Sequence, residues 1–263
     1  MTTTEKTLDL LAYFSIARQE IGLTEFSRLA GRNKATTYRY LQSLENAGFV
    51  EKNPLTRRFR LGPAVLQLAQ LREETVPRKE GAAEALKQLA ELTGETAHVS
   101  VLSGMTLYSL DANESPEHVI RATADVQTLP LHATAAGICA LAFGPKPLTN
   151  FAKQNMCRFT SSTAVTEQQL DDEIKQAKSI GFGHSDGGFV DDICGLAAPI
   201  YDHTGLLTGT VSVASVAMRF TPDSKHNIMQ GLMTASREIS QNWGGVVPDE
   251  IEACWAGALT QKR

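Results

Sequence analysis

The sequence predicts an α+β chain in two parts: a small N-terminal helical unit closed by a β-hairpin, and a larger unit with helices on the faces of an antiparallel sheet. Three observations predict it. Two short helical patterns, over residues 24–31 and 33–48, run directly into two alternating segments. An amphipathic stretch over 64–74 then breaks at Thr75-Val76-Pro77. Beyond it, paired alternating segments are interleaved with helical ones, which means hairpins plus segregated helices. At 263 residues, 42% hydrophobic and 21% charged, the chain suits two globular domains. The expected division is 1–62, a connecting helix over 63–76, and 77–263.

In chain order, the first helix is expected over 4–18, with Leu8, Leu11, Ala12 and residues 14–16 as its apolar side. The second opens at Thr24 and is stopped by Gly31; the third opens at Asn33 and stops at Gly48. In the third helix Thr37, Tyr40, Leu41 and Leu44 fall at i, i+3, i+4 and i+7, so they share the inward face. Lys34, Thr36, Tyr38 and Arg39 then point outward. Residues 49–52 and 58–61 alternate as two short strands joined through 53–57, where Pro54 fixes a turn φ. Two helices followed by such a hairpin form a winged helix-turn-helix, with Arg57 and Arg58 at the wing tip.

Charge placement gives that unit a partner. Residues 28–60 hold eight Lys or Arg (28, 32, 34, 39, 52, 57, 58, 60) against two Glu, although the whole chain is at −4. Residues 1–75 carry eleven basic and eight acidic side chains, +3, which leaves −7 for the remainder. A basic patch confined to one module of an acidic chain is the footprint of a polyanion partner, here duplex DNA. The bland alternative, a helical hairpin with a solvated polar face, does not account for that confinement.

The larger part begins with a helix over 78–92, ended by Thr93-Gly94. Strands follow at 97–102 and 106–111 around a Ser103-Gly104 turn, with a third strand at 119–122. Residues 133–143 form a small-residue helix closed by Gly144-Pro145. Thr166 and Gln169 match a capping box for a helix that reaches Ile180 and ends at Gly181. Strands at 195–201 and 207–216 flank a turn at 202–205, and a last helix spans 222–243.

Other classes find little support. No stretch approaches the roughly 20 apolar residues of a membrane span, and the polar start lacks a signal peptide's apolar core. The four cysteines (139, 157, 194, 254) are scattered and read as reduced thiols of a cytoplasmic protein. Gly-x-Ser-x-Gly and the Walker pattern are absent. Residues 181–187 superficially match a dinucleotide loop but follow a helix, so they are read as a flexible loop. His98, His132, His184 and Cys194 lack local ligand spacing, so structural hydrogen bonding is favoured over a metal site. His132 is expected to orient the loop before its helix. No cofactor and no catalytic residue is expected. An enzyme fused to a DNA-binding head, with Cys194 or Cys139 as nucleophile, and an architectural DNA binder stand as alternatives.

The chain resembles an IclR-family transcription regulator across nearly its whole length. The resemblance rests on Leu23 to Leu44, the wing Asn53-Pro-Leu-Thr-Arg-Arg-Phe-Arg-Leu-Gly-Pro63, Leu129-Pro-Leu-His-Ala-Thr-Ala-Ala-Gly137 and Gly195-Leu-Ala-Ala-Pro-Ile-Tyr-Asp202. It implies a winged-helix DNA-binding domain, a linker helix that helps dimerise, and a GAF-like C-terminal domain that binds a small-molecule effector. It further implies a homodimer or dimer-based tetramer on a palindromic operator. Lys6 stands where the family often has Arg for DNA contact and joins Thr24, Lys34, Thr36, Tyr38, Arg39, Arg57, Arg58 and Arg60 in the expected DNA-binding set. Arg57 replaces a frequent Gly, so either the turn differs or the Arg adds a phosphate contact. The family's pocket maps onto Leu129, Leu131, Ala135, Ala136, Gly137, Ser212 and Ala214, with Asp186 and Cys194 in a closing loop. A helix start there favours a carboxylate, while close helix packing is the plainer reading of Ala-Ala-Gly. The expected function is a repressor of a catabolic operon, released by a small organic acid, semialdehyde or lactone; an activator is the alternative.

Overall fold

Caps and turn glycines set the helix boundaries of the first 77 residues. The computed structural model describes residues 2–15, 18–75, 78–114, 127–202 and 204–260, the side chains of 72–75 apart. It divides into two compact units, Met1–Pro77 and Arg78–Arg263.

In the first unit, α1 (Thr3–Leu8) opens with a Thr2/Glu5 capping box and passes into a 3₁₀ turn, Asp9–Tyr13. The helix expected to reach 18 is therefore shorter, and residues 16–17 lie outside the described residues. Tertiary pairing overrides helix propensity here. Ile21 exchanges two backbone hydrogen bonds with Phe59 (2.8 and 2.9 Å), and Tyr13 and Phe14 meet the Phe26 ring edge-on. Next come α2 (Leu23–Leu29), which starts one residue before Thr24, and α3 (Lys34–Asn46). Asn33 Oδ1 accepts from Thr36 N at 2.8 Å to cap α3, and Gly31 and Gly48 take positive φ beyond the two helix ends. Strands β1 (Val50–Lys52) and β2 (Phe59–Leu61) pair antiparallel, Lys52 opposite Phe59. Leu10, Ile21, Phe26, Leu41, Leu44, Val50 and Phe59 form the core. Helix α4 (Pro63–Thr75) follows, with Leu66, Leu68 and Leu71 exposed.

The second unit is built on six strands in the order β5-β4-β3-β8-β7-β6, all neighbours antiparallel. In chain order these are β3 (Thr96–Ser103), β4 (Thr106–Asn113), β5 (Thr128–Leu129), β6 (Gly183–Asp186), β7 (Ile193–Tyr201) and β8 (Leu207–Val216). The helices are α5 (Arg78–Thr93), α6 (Ala135–Phe143), α7 (Lys146–Gln154), α8 (Glu167–Ile180), α9 (Pro222–Asn242) and α10 (Asp249–Thr260). A Cβ at Gly195 would lie 3.1 Å from the Ala135 Cβ on α6, and one at Gly209 would lie 3.0 Å from Trp243, just after α9. Gly209 pairs with Ile200, five positions from Gly195, so the two glycines face opposite sides of the sheet. Helix α6 thus covers one face and the end of α9 the other.

Several expectations need correction. Ser103 pairs with Thr106, so the turn is Gly104-Met105, with Gly104 at φ 59°. Residues 181–187 are no loose loop: 183–186 form β6, paired with β7 from Gly183–Ala197 to Asp186–Cys194. The strands β5 and β6 and the helices α7 and α10 add elements the pattern did not reveal. The strand expected at 119–122 lies outside the described residues, as does His203 of the 202–205 turn.

Candidate functional site

Two surfaces concentrate the chemistry, one in each unit. On α3, Thr37, Tyr40, Leu41 and Leu44 are buried, as the spacing requires, while Lys34, Tyr38 and Arg39 are exposed and Thr36 is half-buried. The ammonium of Lys52 sits 5.4 Å from the Tyr38 ring centroid and 4.9 Å from that of Phe59, which fixes Tyr38 beside the wing. Thr24 is exposed on α2. Lys6 is half-buried, and its carbonyl accepts from Arg32 Nη1 at 3.2 Å.

The wing turn is braced from within. Asn53 Oδ1 accepts from the backbone N–H of Leu55 (2.9 Å) and Thr56 (3.3 Å). Asn53 Nδ2 and Thr56 Oγ1 donate to the two Glu20 carboxylate oxygens at 2.5 and 2.8 Å, and these bonds hold that carboxyl below its ordinary range. Arg58 donates to the Glu20 carbonyl (3.2 and 2.9 Å) and to Glu25 (2.7 Å). Arg60 pairs with Glu51 at 2.6 Å. Two of the three wing arginines expected to offer free cations are therefore engaged inside the unit. Among the described residues no ion pair or hydrogen bond engages the Arg57 guanidinium, which is exposed on a backbone at φ 59°. The turn keeps the left-handed conformation and carries the Arg in it.

In the second unit a cavity of about 210 Å³ opens between the start of α6, the sheet face beneath it and the 189–193 loop. Thr134 caps α6: its Oγ1 accepts from Gly137 N (3.0 Å) and donates to the Pro130 carbonyl (2.9 Å). The N–H groups of Ala135 and Ala136 lack intrahelical partners by position and are left at the cavity wall. Apolar side chains dominate the rest, with His98, Ser109, Ser185 and Ser212 as the polar exceptions.

Of the expected pocket residues, Leu129, Ala135, Ala136, Ser212 and Ala214 line this cavity. Leu131 belongs to the core. Gly137 serves close packing, since a Cβ there would fall 2.5 Å from the Leu131 carbonyl oxygen. Cys194 alternates with the lining residue Gly195 along β7 and is turned away, its Sγ donating to Asp186 at 3.1 Å. Asp186 lines a separate polar cavity beside β6. Residues missed by sequence reasoning include His98, Ser109, Thr134, Phe189, Val190 and Ile193. Thr134 had a readable signal, a capping residue before a small apolar run; His98 arrives only through the pairing of β3 with β8 opposite Ser212.

The nucleophile alternative loses its chemistry. Burial raises both thiols, Cys194 to about 12 and Cys139 still further, so neither is a thiolate near neutral pH. His132 is buried, with Nε2 2.8 Å from the Cys157 carbonyl oxygen. Among the described residues no His/Cys/Asp/Glu group is arranged for a metal ion, and no helix is long and apolar enough to cross a membrane.

Comparison with known proteins fits this architecture. The IclR helix-turn-helix domain matches residues 3–54, and the C-terminal domain of bacterial IclR transcriptional regulators matches 75–241. A solved structure from Silicibacter sp. TM1040, described as an IclR transcriptional regulator, is 36% identical with a TM-score of 0.87, covering 95% of this chain and 99% of that one. The transcriptional repressor IclR of Escherichia coli is 25% identical over 250 residues, 91% of this chain and 89% of its own. An IclR homolog from Microbacterium hydrocarbonoxydans, solved in complex with 4-hydroxybenzoate, is 18% identical with a TM-score of 0.69 and shares the fold over 92% of this chain and 99% of its own. These relatives are transcription regulators, not enzymes.

Proposed function

The chain belongs to the IclR family of transcription regulators, and on that premise we propose that it is a repressor, released from a palindromic operator when a small carboxylate occupies the α6 pocket. The observation that carries this reading is a mostly apolar cavity ending on a helix start whose first N–H groups lack intrahelical partners, in a chain that also bears a winged helix. The repressor sense is supported by the E. coli relative, and a carboxylate by the ligand of the Microbacterium homolog. The roles divide as 1–62 for DNA, 63–76 as linker and 77–263 for the effector, in a cytoplasmic protein.

On the DNA side, Lys34, Thr36, Tyr38 and Arg39 enter the major groove, while Arg57, Lys6 and Thr24 meet backbone. Arg58 and Arg60 shape the wing rather than neutralise phosphates. The exposed leucines of α4 join two copies into a dimer or a dimer-based tetramer, and that spacing sets the half-site separation. Short organic acids, semialdehydes and lactones from a catabolic route fit the cavity. Such an effector must bind the DNA-free arrangement more tightly than the DNA-bound one, or it shifts nothing. The test is a gel shift at fixed salt on the protein's own promoter region: Arg39→Ala is expected to weaken binding by at least about 1 kcal/mol. Undiminished affinity would remove α3 from the interface.

A further inference from the structure

The wing turn keeps its backbone donors to itself. Its base is closed by the Asn53 N–H on the Arg58 carbonyl (2.8 Å) and the Arg57 N–H on the Asn53 carbonyl (2.9 Å). Within the turn, the Leu55 and Thr56 N–H groups both go to Asn53 Oδ1, and Pro54 has none to give. The Thr56 hydroxyl donates to Glu20. What the tip turns outward is therefore Pro54, Leu55 and the Arg57 guanidinium, all exposed, Leu55 to 91%. A lone exposed leucine needs no explanation on an ordinary surface. This one stands at the end of a turn pinned by hydrogen bonds on several sides, beside an exposed proline and a cation that no described residue engages. Little order remains to be imposed on that backbone when a partner arrives.

A phosphate track alone is matched by N–H groups and cations, and this tip supplies a single cation. An apolar pair flanked by a cation fits a different surface: a groove with phosphates along its rims and stacked bases inside. On the reading of the first unit as the DNA-binding one, we infer that Leu55 is an apolar wedge. It enters the operator's minor groove and leans between base pairs at a flexible step, with Arg57 on the adjoining phosphate. Apolar side chains inserted this way partly unstack a step and kink the duplex toward the major groove. Pyrimidine–purine steps yield most easily. The wing then selects sequence through the ease of bending, while α3 reads base edges.

The experiment uses the full chain and a fragment of its own promoter region carrying a dye at each end. Anisotropy across a salt series reads affinity, and energy transfer between the ends reads the bend. Leu55→Ala is expected to weaken binding at least about fivefold. The slope of log affinity against log salt should stay as it is, because no charge is lost. The bend is expected to relax by at least about 20°. Leu55→Met, which keeps a long apolar side chain, should retain both affinity and bend. Free Leu55→Ala protein should melt with the wild type, since the residue is exposed. Wild-type affinity and bend in Leu55→Ala would leave the leucine solvated and overturn the wedge. So would weaker binding that comes with a lower melting temperature and is not restored by Leu55→Met, which assigns the leucine to the turn itself. Altered sedimentation with unchanged DNA binding places it against a second copy of the chain and overturns the wedge too. No salt-sensitive binding of the wild type to any duplex removes the DNA reading and the wedge together.

Discussion

Arg57→Gly separates two roles that one residue combines. The backbone at this position is left-handed, φ 59°, in a turn whose other members are pinned to Glu20. An L-residue pays roughly 1–2 kcal/mol for that conformation, and a glycine there gives back roughly 0.5–1 kcal/mol through its freer unfolded chain. The net expectation is a wing stabilised by about 0.5–1 kcal/mol. Since no described residue pairs with the guanidinium, its removal is expected to cost nothing internally. On DNA the same substitution deletes a cation, so the slope of log affinity against log salt should flatten by about 0.9, the share of one phosphate contact. Stability and affinity therefore move in opposite directions. Amide exchange in the intact chain, followed at Phe59 N–H, which bonds the Ile21 carbonyl, reads the first quantity. Fluorescence anisotropy on the promoter fragment across a salt series reads the second. Faster exchange in the variant would show that the Arg side chain supports the turn, and an unchanged slope would show that it never meets a phosphate. Either result refutes the reasoning.

Three further outcomes are expected. Ala136→Asp places a carboxylate at the start of α6, where the helix tolerates it and a ligand anion cannot share the site; operator binding should persist while ligand-induced release disappears, and normal release would misplace the pocket. Arg219→Ala strands the buried Glu95 carboxylate, which now accepts from Arg219 Nε and Nη2 at 2.6 and 2.7 Å and from Ser215 Oγ at 2.8 Å. The loss should be on the order of 3 kcal/mol in urea unfolding, and less than about 1 kcal/mol would mean that water reaches the carboxylate. Burial raises the Glu173 carboxyl to about 7 from an ordinary 4.5, so the folded chain holds that proton longer than the unfolded one. Its contribution is complete below about 4.5 and is lost as pH rises through about 7. Melting temperature should fall over that window, and Glu173→Gln should flatten the trend.

The first unit was largely legible because local signals there agree with tertiary demands. The i, i+3, i+4, i+7 spacing of Thr37, Tyr40, Leu41 and Leu44 is both a helix pattern and the core contact set, and Gly31 and Gly48 sit where a positive φ is required. The first helix failed for the opposite reason. Residues beyond Tyr13 have a helical pattern, but the chain must extend so that Ile21 can bridge to Phe59, and that bridge pairs positions 38 residues apart. Charge counts misled in a related way. Arg58 and Arg60 look like their neighbour Arg57 in composition, yet Glu20, Glu25 and Glu51 return to engage them from other elements.

The pocket shows how far one-dimensional reasoning can reach into a site. The α6 half was readable, since small residues behind a capping Thr announce a helix start that something can approach. The sheet half was not, because strand register decides which residues meet. Gly195 and Cys194 are neighbours in sequence, yet the two-residue repeat of a strand puts one at the cavity and the other against Asp186. His98 and Ser212 are far apart in sequence, and the ladder makes them partners. The polar groups of the cavity's sheet side are delivered by pairing rather than by motif. On the proposed reading, the helix start holds the acid group and the sheet face carries the selection. Substitutions at His98, Ser109 and Ser212 should therefore change which ligand is chosen more than whether one is bound, and substitutions at Ala135 and Ala136 the reverse.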